Sequence, residues 1–187
     1  TWDGMVYHLT SRGSRFNSFS GGKPGKINSE EWQHTNNKNI RNFIRKWGTM
    51  VKHDDYMMPI VTPKYDIGFV VKNCTFEVLH TLEPWCSDFY GEFPKYMKEM
   101  YIRDEKLNTL YDLDKKIHDM QLIEKNNDIL VEFDAKELDN QNFQYITQLQ
   151  EILSNDEELD FGKFDLGIFT IMIHRVKTYE KELIVCE

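Results

Sequence analysis

The stretch DILVEFD at 128–134 closes an apolar run with Glu132-Phe133-Asp134. In an extended segment side chains alternate, so Ile129, Val131 and Phe133 share one face and Leu130, Glu132 and Asp134 the other. Two carboxylates on one face can share a hard divalent ion, Mg²⁺ or Mn²⁺, through oxygen ligands. They can equally be a solvated strand end, with Asp134 capping the following turn. A second set of chemistry-bearing residues lies in the Gly/Ser-rich stretch 11–35, where Arg12, Arg15, Lys23 and Lys26 are basic and Trp32 is aromatic. Guanidinium forks suit bidentate phosphate contacts, so the stretch reads as a phosphate or acceptor lid, or as a loop that is soluble because it is charged. Its GGKPGK segment lacks the Gly-x-x-x-x-Gly-Lys-Ser/Thr spacing of a nucleotide-hydrolase phosphate loop. Trp32 is the tryptophan best placed to stack on a ligand ring, whereas Trp47 falls on an apolar helical face and reads as core. His8 is a metal ligand only if carboxylates reach it from elsewhere; otherwise it is a packed residue among aromatic neighbours.

Composition narrows the classes. The chain has 187 residues, 40% hydrophobic and 13% aromatic, enough for one sizeable core. Charge is uneven: residues 1–65 carry 10 Lys+Arg against 5 Asp+Glu, and residues 66–187 carry 13 against 26. The acidic part would repel phosphate backbones, so nucleic acid is not expected as a partner. No run approaches the roughly 18 apolar residues of a membrane span, and the start has no leader pattern. Cys74, Cys86 and Cys186 form no CxxC pair and read as reduced core thiols, which suits an intracellular, cytoplasmic protein.

These residues need elements to hold them. Residues 1–10 read as a strand and 11–35 as a long loop without regular structure. Ile40, Phe43, Ile44 and Trp47 at helical spacing predict a helix over 36–48, stopped by Gly48. An extended connector with two prolines follows to a boundary near Lys64, giving segments 1–64 and 65–187. Beyond it, 66–71 reads as a buried strand, and Asn73 or Thr75 as the cap of a helix ending before Pro84. A short strand is expected at 100–105, a helix at 110–120, a strand at 128–134 and a helix at 139–153. A long strand at 164–176 and a short one at 182–186 complete the list. Alternating strands and helices predict an α/β fold, a mixed, mainly parallel sheet flanked by helices, with 128–134 and 164–176 central and buried on both faces. The first third is a loop-and-helix appendage.

The block WDGMVYHLTSRGSRF, followed by NIRNFIRKWG, resembles the tail of a family-2 glycosyltransferase domain of GT-A type, in versions associated with viral or marine-microbial members. In that family a strand ends in a His near the metal–diphosphate site, and here the His is His8. The family's later helix is matched through Asn42, Lys46, Trp47 and Gly48. The second block resembles the opposite half of the same Rossmann-like fold. There Asp104 takes the place of the Asp that ends the second strand, and Glu132 and Asp134 that of the family's Asp-x-Asp pair. The departures are a Glu for the first Asp, no Gly-Ser-Thr in the nucleotide loop, and no acceptor-base motif within the chain. The resemblance implies a nucleotide-sugar donor, a glycan acceptor, a metal held by Glu132, Asp134 and His8, and substrate contacts from Asp104, Arg12, Arg15 and Trp32. The alternative is a non-catalytic α/β interaction or assembly module of a larger glycan-modifying protein, with a partner domain or a second copy of the chain as its partner.

Overall fold

The computed structural model describes residues 19–20, 23–24, 30–155 and 161–176. The chain divides into two compact units, 1–39 and 40–187.

In the first unit β1 (Phe19–Ser20) pairs antiparallel with β2 (Lys23–Pro24). Helix α1 (Glu30–Trp47) begins here and runs into the second unit. The stretch 11–35 is therefore not a continuous loop. Its helical part, 30–35, reads EEWQHT and carries no apolar stripe, so no helical period marks it in the sequence.

The second unit begins at Ile40, so it includes the end of α1 and the connector after it. Gly48 ends the helix in the left-handed region, φ 74°, with its N–H donating to the Ile44 carbonyl at 2.7 Å. The connector holds a small hairpin, β3 (Lys52–His53) with β4 (Pro59–Ile60). The sheet strands follow: β5 (Ile67–Lys72), β6 (Asp88–Gly91), β7 (Ile117–Asp119), β8 (Ile129–Asp134), β9 (Gly162–Leu166) and β10 (Phe169–Ile173). Between them lie α2 (Phe76–Leu82), a 3₁₀ turn at Glu83–Trp85, α3 (Lys95–Glu105), α4 (Leu113–Lys116), a 3₁₀ turn at Ala135–Glu137 and α5 (Asn140–Asn155). The order across the sheet is β7-β6-β5-β8-β10-β9. The first four strands are parallel, and β10 runs antiparallel to both β8 and β9. The fold is thus the expected α/β class, a mixed, mostly parallel sheet flanked by helices.

Thr75 caps α2 as its sequence position suggested, its hydroxyl accepting from the Val78 N–H at 3.3 Å. Three expected elements are corrected. Residues 100–105 are the end of α3, not a strand; Tyr101 and Glu105 are buried one helical turn apart, a period a six-residue window cannot reveal. Residues 110–120 give only the single turn α4, then turn extended as β7. The partner that makes β7 a strand is β6, too short to be read from pattern, with Ile117 opposite Phe89. Residues 164–176 are not one strand but part of a hairpin, reversed at Gly167 with φ 62°. The segments 1–10 and 182–186 lie outside the described residues.

The helices cover one face of the sheet. Phe69, Val71, Phe89, Ile117, Val131, Phe133 and Ile171 of that face join Leu79, Leu82, Tyr101, Ile146, Leu149 and Leu153 of the helices in one core. The other face of β8 is only half buried, so the expectation of burial on both faces fails. Among the described residues no helix is long and apolar enough to cross a membrane.

Candidate ligand site on the open face of the sheet

The chain reverses direction across the sheet between β5 and β8: β6 and β7 build outward on one side of β5, and β8 pairs with it on the other. Such a reversal leaves a crevice at the carboxyl ends of the strands, the usual ligand position in open α/β sheets. Glu132 and Asp134 reach this end on β8, opposite Val70 and Lys72 of β5. Both lie on the face away from the core, as the alternation required.

Each carboxylate is already engaged. Lys72 Nζ is 2.5 Å from Glu132 Oε1, and both side chains are close to half exposed. Its ammonium is held above the usual lysine range by the hydrogen bond to Glu132 and that carboxylate's charge. Asp134 Oδ2 accepts from Asn73 Nδ2 at 2.7 Å, and Oδ1 accepts from the Lys136 N–H at 2.9 Å, capping the 3₁₀ turn at 135–137. Asn73 holds its place in the left-handed region, φ 51°, with its own N–H on Glu92 Oε2 at 3.1 Å. A divalent ion would compete with Lys72 for Glu132 and with Asn73 for Asp134. Among the described residues no three His, Cys, Asp or Glu side chains gather as a metal site. Three of the pair's four oxygens are engaged by protein donors.

The same face carries a cavity of about 400 Å³. Its floor is Val70, Leu130 and Met172 from three adjacent strands, with Met120 at the side. Lys72, Lys125, Lys163, Glu132 and Thr170 form the polar rim. Lys125 donates to the Met120 carbonyl at 3.2 Å and lies 5.9 Å from the Tyr90 ring centre. Thr170 donates to Asp165 Oδ1 at 2.7 Å.

Of the other expected site residues, Asp104 lies away from this strand end, exposed on α3 and 3.1 Å from Arg103 Nε. Trp32 belongs to the first turns of α1 rather than to a loop. His8, Arg12 and Arg15 lie outside the described residues.

Two polar networks were not legible in sequence. The first is buried. Arg45 donates from Nη2 to Glu83 Oε2 and to Glu105 Oε2, both at 2.7 Å, while Lys116 Nζ is 2.7 Å from Glu83 Oε1. Tyr101 adds its hydroxyl proton to Glu83 at 2.8 Å. Burial alone would raise the Glu83 carboxyl, but Lys116 and Arg45 outweigh it and bring it down to about 2. Lys64, which donates to the Arg45 carbonyl at 2.7 Å, is pushed down to about 8 by burial and by Lys116. The only available signal was Arg41 and Arg45 one turn apart in the part of α1 that carries the apolar stripe.

The second network joins the amino ends of β5, β6 and β8. Asn127 Nδ2 donates to Asp66 at 2.7 Å and to Asp88 at 2.8 Å, and its Oδ1 accepts from Tyr90 at 2.8 Å. His118 Nε2 lies 3.1 Å from Asp88 and its ring stacks on Tyr90. A side chain at Gly68 would meet Asn127 Oδ1 at 2.4 Å, so this network needs the glycine. Cys74 and Cys86 are buried and free, with burial raising both thiols to about 12. They are protonated packing residues at neutral pH.

Compared with known proteins, the chain matches no family model, no curated protein and no solved structure.

Proposed function

We propose that this chain is part of, or related to, a glycosyltransferase that moves a sugar from a nucleotide-sugar donor to an acceptor hydroxyl. The observation that carries the reading is the strand-order reversal at β5 and β8, with the Glu132/Asp134 face beside a cavity of about 400 Å³. The reaction class is displacement at the anomeric carbon. It needs an acceptor hydroxyl relieved of its proton and a diphosphate leaving group relieved of its charge. The described residues offer the second of these, in the lysines on the rim. The apolar floor suits a flat ring, and Glu132 can accept from a sugar hydroxyl. The test is saturation-transfer NMR of residues 1–187 against nucleoside diphosphate sugars. At least one should show transfer that Met172→Glu, which puts a charge on the floor, removes. No transfer from any of them overturns the reading.

The second reading, a non-catalytic module, has its own support. An apolar groove of about 340 Å³ lies between the end of α1 and the β3–β4 hairpin, lined by Phe43, Trp47, Met50, Val51, Ile60 and Val61. Met57 and Met58 at the hairpin tip are 72% and 61% exposed. Exposed methionines and a groove of this kind suit a protein partner. Concentration-independent monomeric sedimentation, together with a donor in the cavity, would favour the first reading over the second.

A further inference from the structure

We propose that the phosphate charge of a ligand in the open-face cavity is met by lysine ammonium groups, Lys72, Lys125 and Lys163, and not by a divalent cation on Glu132 and Asp134. The inference rests on the donor-site reading and specifies how that site handles charge.

Three lysines and one carboxylate line the cavity. They do so in a stretch where residues 66–187 hold 13 Lys+Arg against 26 Asp+Glu, so the rim is a local reversal of the surrounding charge. A rim of cations over an apolar floor attracts a ligand with an anionic end and an apolar body. The lysines come from three separate places: the end of β5, the loop before β8, and the edge strand β9. They therefore offer cationic contacts to the cavity from three segments of the chain. Lys163 is on an exposed strand, opposite Met172 in register.

The acidic pair, by contrast, already has three of its four oxygens engaged by protein donors. Both Asp134 oxygens accept hydrogen bonds, one from the backbone turn that Asp134 caps and one from Asn73. Glu132 is bound to Lys72. An arriving phosphate competes with Glu132 for the Lys72 ammonium, so Glu132 limits anion affinity in this site. If Glu132 were a metal ligand, it would instead increase that affinity. The two accounts therefore give opposite signs for one substitution.

Isothermal titration of the full chain with UDP, ADP and inorganic pyrophosphate, first in EDTA and then in millimolar Mn²⁺, separates them. At least one nucleoside diphosphate should bind in EDTA, and more tightly than pyrophosphate, because pyrophosphate leaves the floor unused. Lys163→Ala should weaken that binding about tenfold, the worth of one charge-assisted contact. Glu132→Gln should tighten it. Both positions are solvent-facing, so neither variant threatens the fold. Binding that appears only with Mn²⁺ and disappears in Glu132→Gln and Asp134→Asn overturns the inference and leaves the donor reading standing. No binding in either condition overturns both. Equal affinity for pyrophosphate and the nucleoside diphosphates overturns the division into anionic rim and apolar floor.

Discussion

Between the helices, Arg45, Glu83, Glu105 and Lys116 are buried with their charges interlocked. On the open face, Lys72 and Glu132 form a pair of similar chemistry that stands half in solvent. The difference lies in what an unmade bond costs. A buried ion without a partner loses several kcal/mol of hydration, so the buried set is close to saturated, and Arg41 Nε is its one unsatisfied buried side-chain atom among the described residues. An exposed ion exchanges a partner for water at little cost. The first network is committed to holding α1, α3, α4 and the 3₁₀ turn after α2 together. The second can exchange Lys72 for water at little cost. Similar residues are structural in one place and available in the other.

The largest effect expected from this contrast is on stability at Glu83. Glu83→Ala leaves the Arg45 and Lys116 cations buried without their shared carboxylate, and should cost about 3–5 kcal/mol in urea unfolding. A loss under about 1 kcal/mol would mean water reaches this network and the contrast is false.

Acid should attack the same point. The Glu83 carboxyl is held at about 2 against an ordinary 4.5, because Lys116 and Arg45 outweigh its burial. A carboxyl lowered on folding adds stability that is complete above the ordinary value and lost as pH falls through the folded one. Glu105 is shifted in the same direction by Arg45 and Arg41 against its own burial, and adds to the trend. The melting temperature should therefore fall between pH 4.5 and about 2, and fall less steeply in Glu83→Gln. Parallel profiles for the two proteins would remove Glu83 as the cause.

A third test concerns the amino end of the open face, where the polar groups are saturated as they are between the helices. Gly68→Ala drives a methyl group to within 2.4 Å of Asn127 Oδ1. Asn127 must move, and the Asp66–Asn127–Asp88 bridge breaks. The expected cost is about 1–3 kcal/mol by thermal melt, and a neutral result would show that Asn127 is free to relocate.

The smallest effect should be at the carboxyl end. Lys72→Ala and Asp134→Asn should each change stability by less than about 1 kcal/mol, since the groups they touch remain in water. Millimolar Mn²⁺ should leave the melting temperatures of the wild type and of Asp134→Asn unshifted. A rise confined to the wild type would place a cation on Asp134 and erase the distinction drawn for the lysines.

By itself the sequence determined the fold class, the two strands β5 and β8, the caps at Thr75 and Gly48, and the face on which Glu132 and Asp134 stand. Each of these is local. Alternation, helical spacing and cap chemistry act within a few residues and survive in any tertiary setting. It also offered Asp134 as a turn cap, and the hydrogen bond from Lys136 is that cap. What the tertiary structure decided was everything that depends on a partner distant in the chain. Strand β7 exists because β6 lies beside it, and the helical spacing of Leu110, Leu113 and Ile117 misled because Leu110 faces solvent. Arg45 is buried because Glu83 and Glu105, 38 and 60 residues away, arrive to neutralise it. Lys72, Lys125 and Lys163 form one rim because β5, the loop before β8 and β9 meet on the open face of the sheet. Charge pairing depends on distance in space, and no spacing along the chain records it.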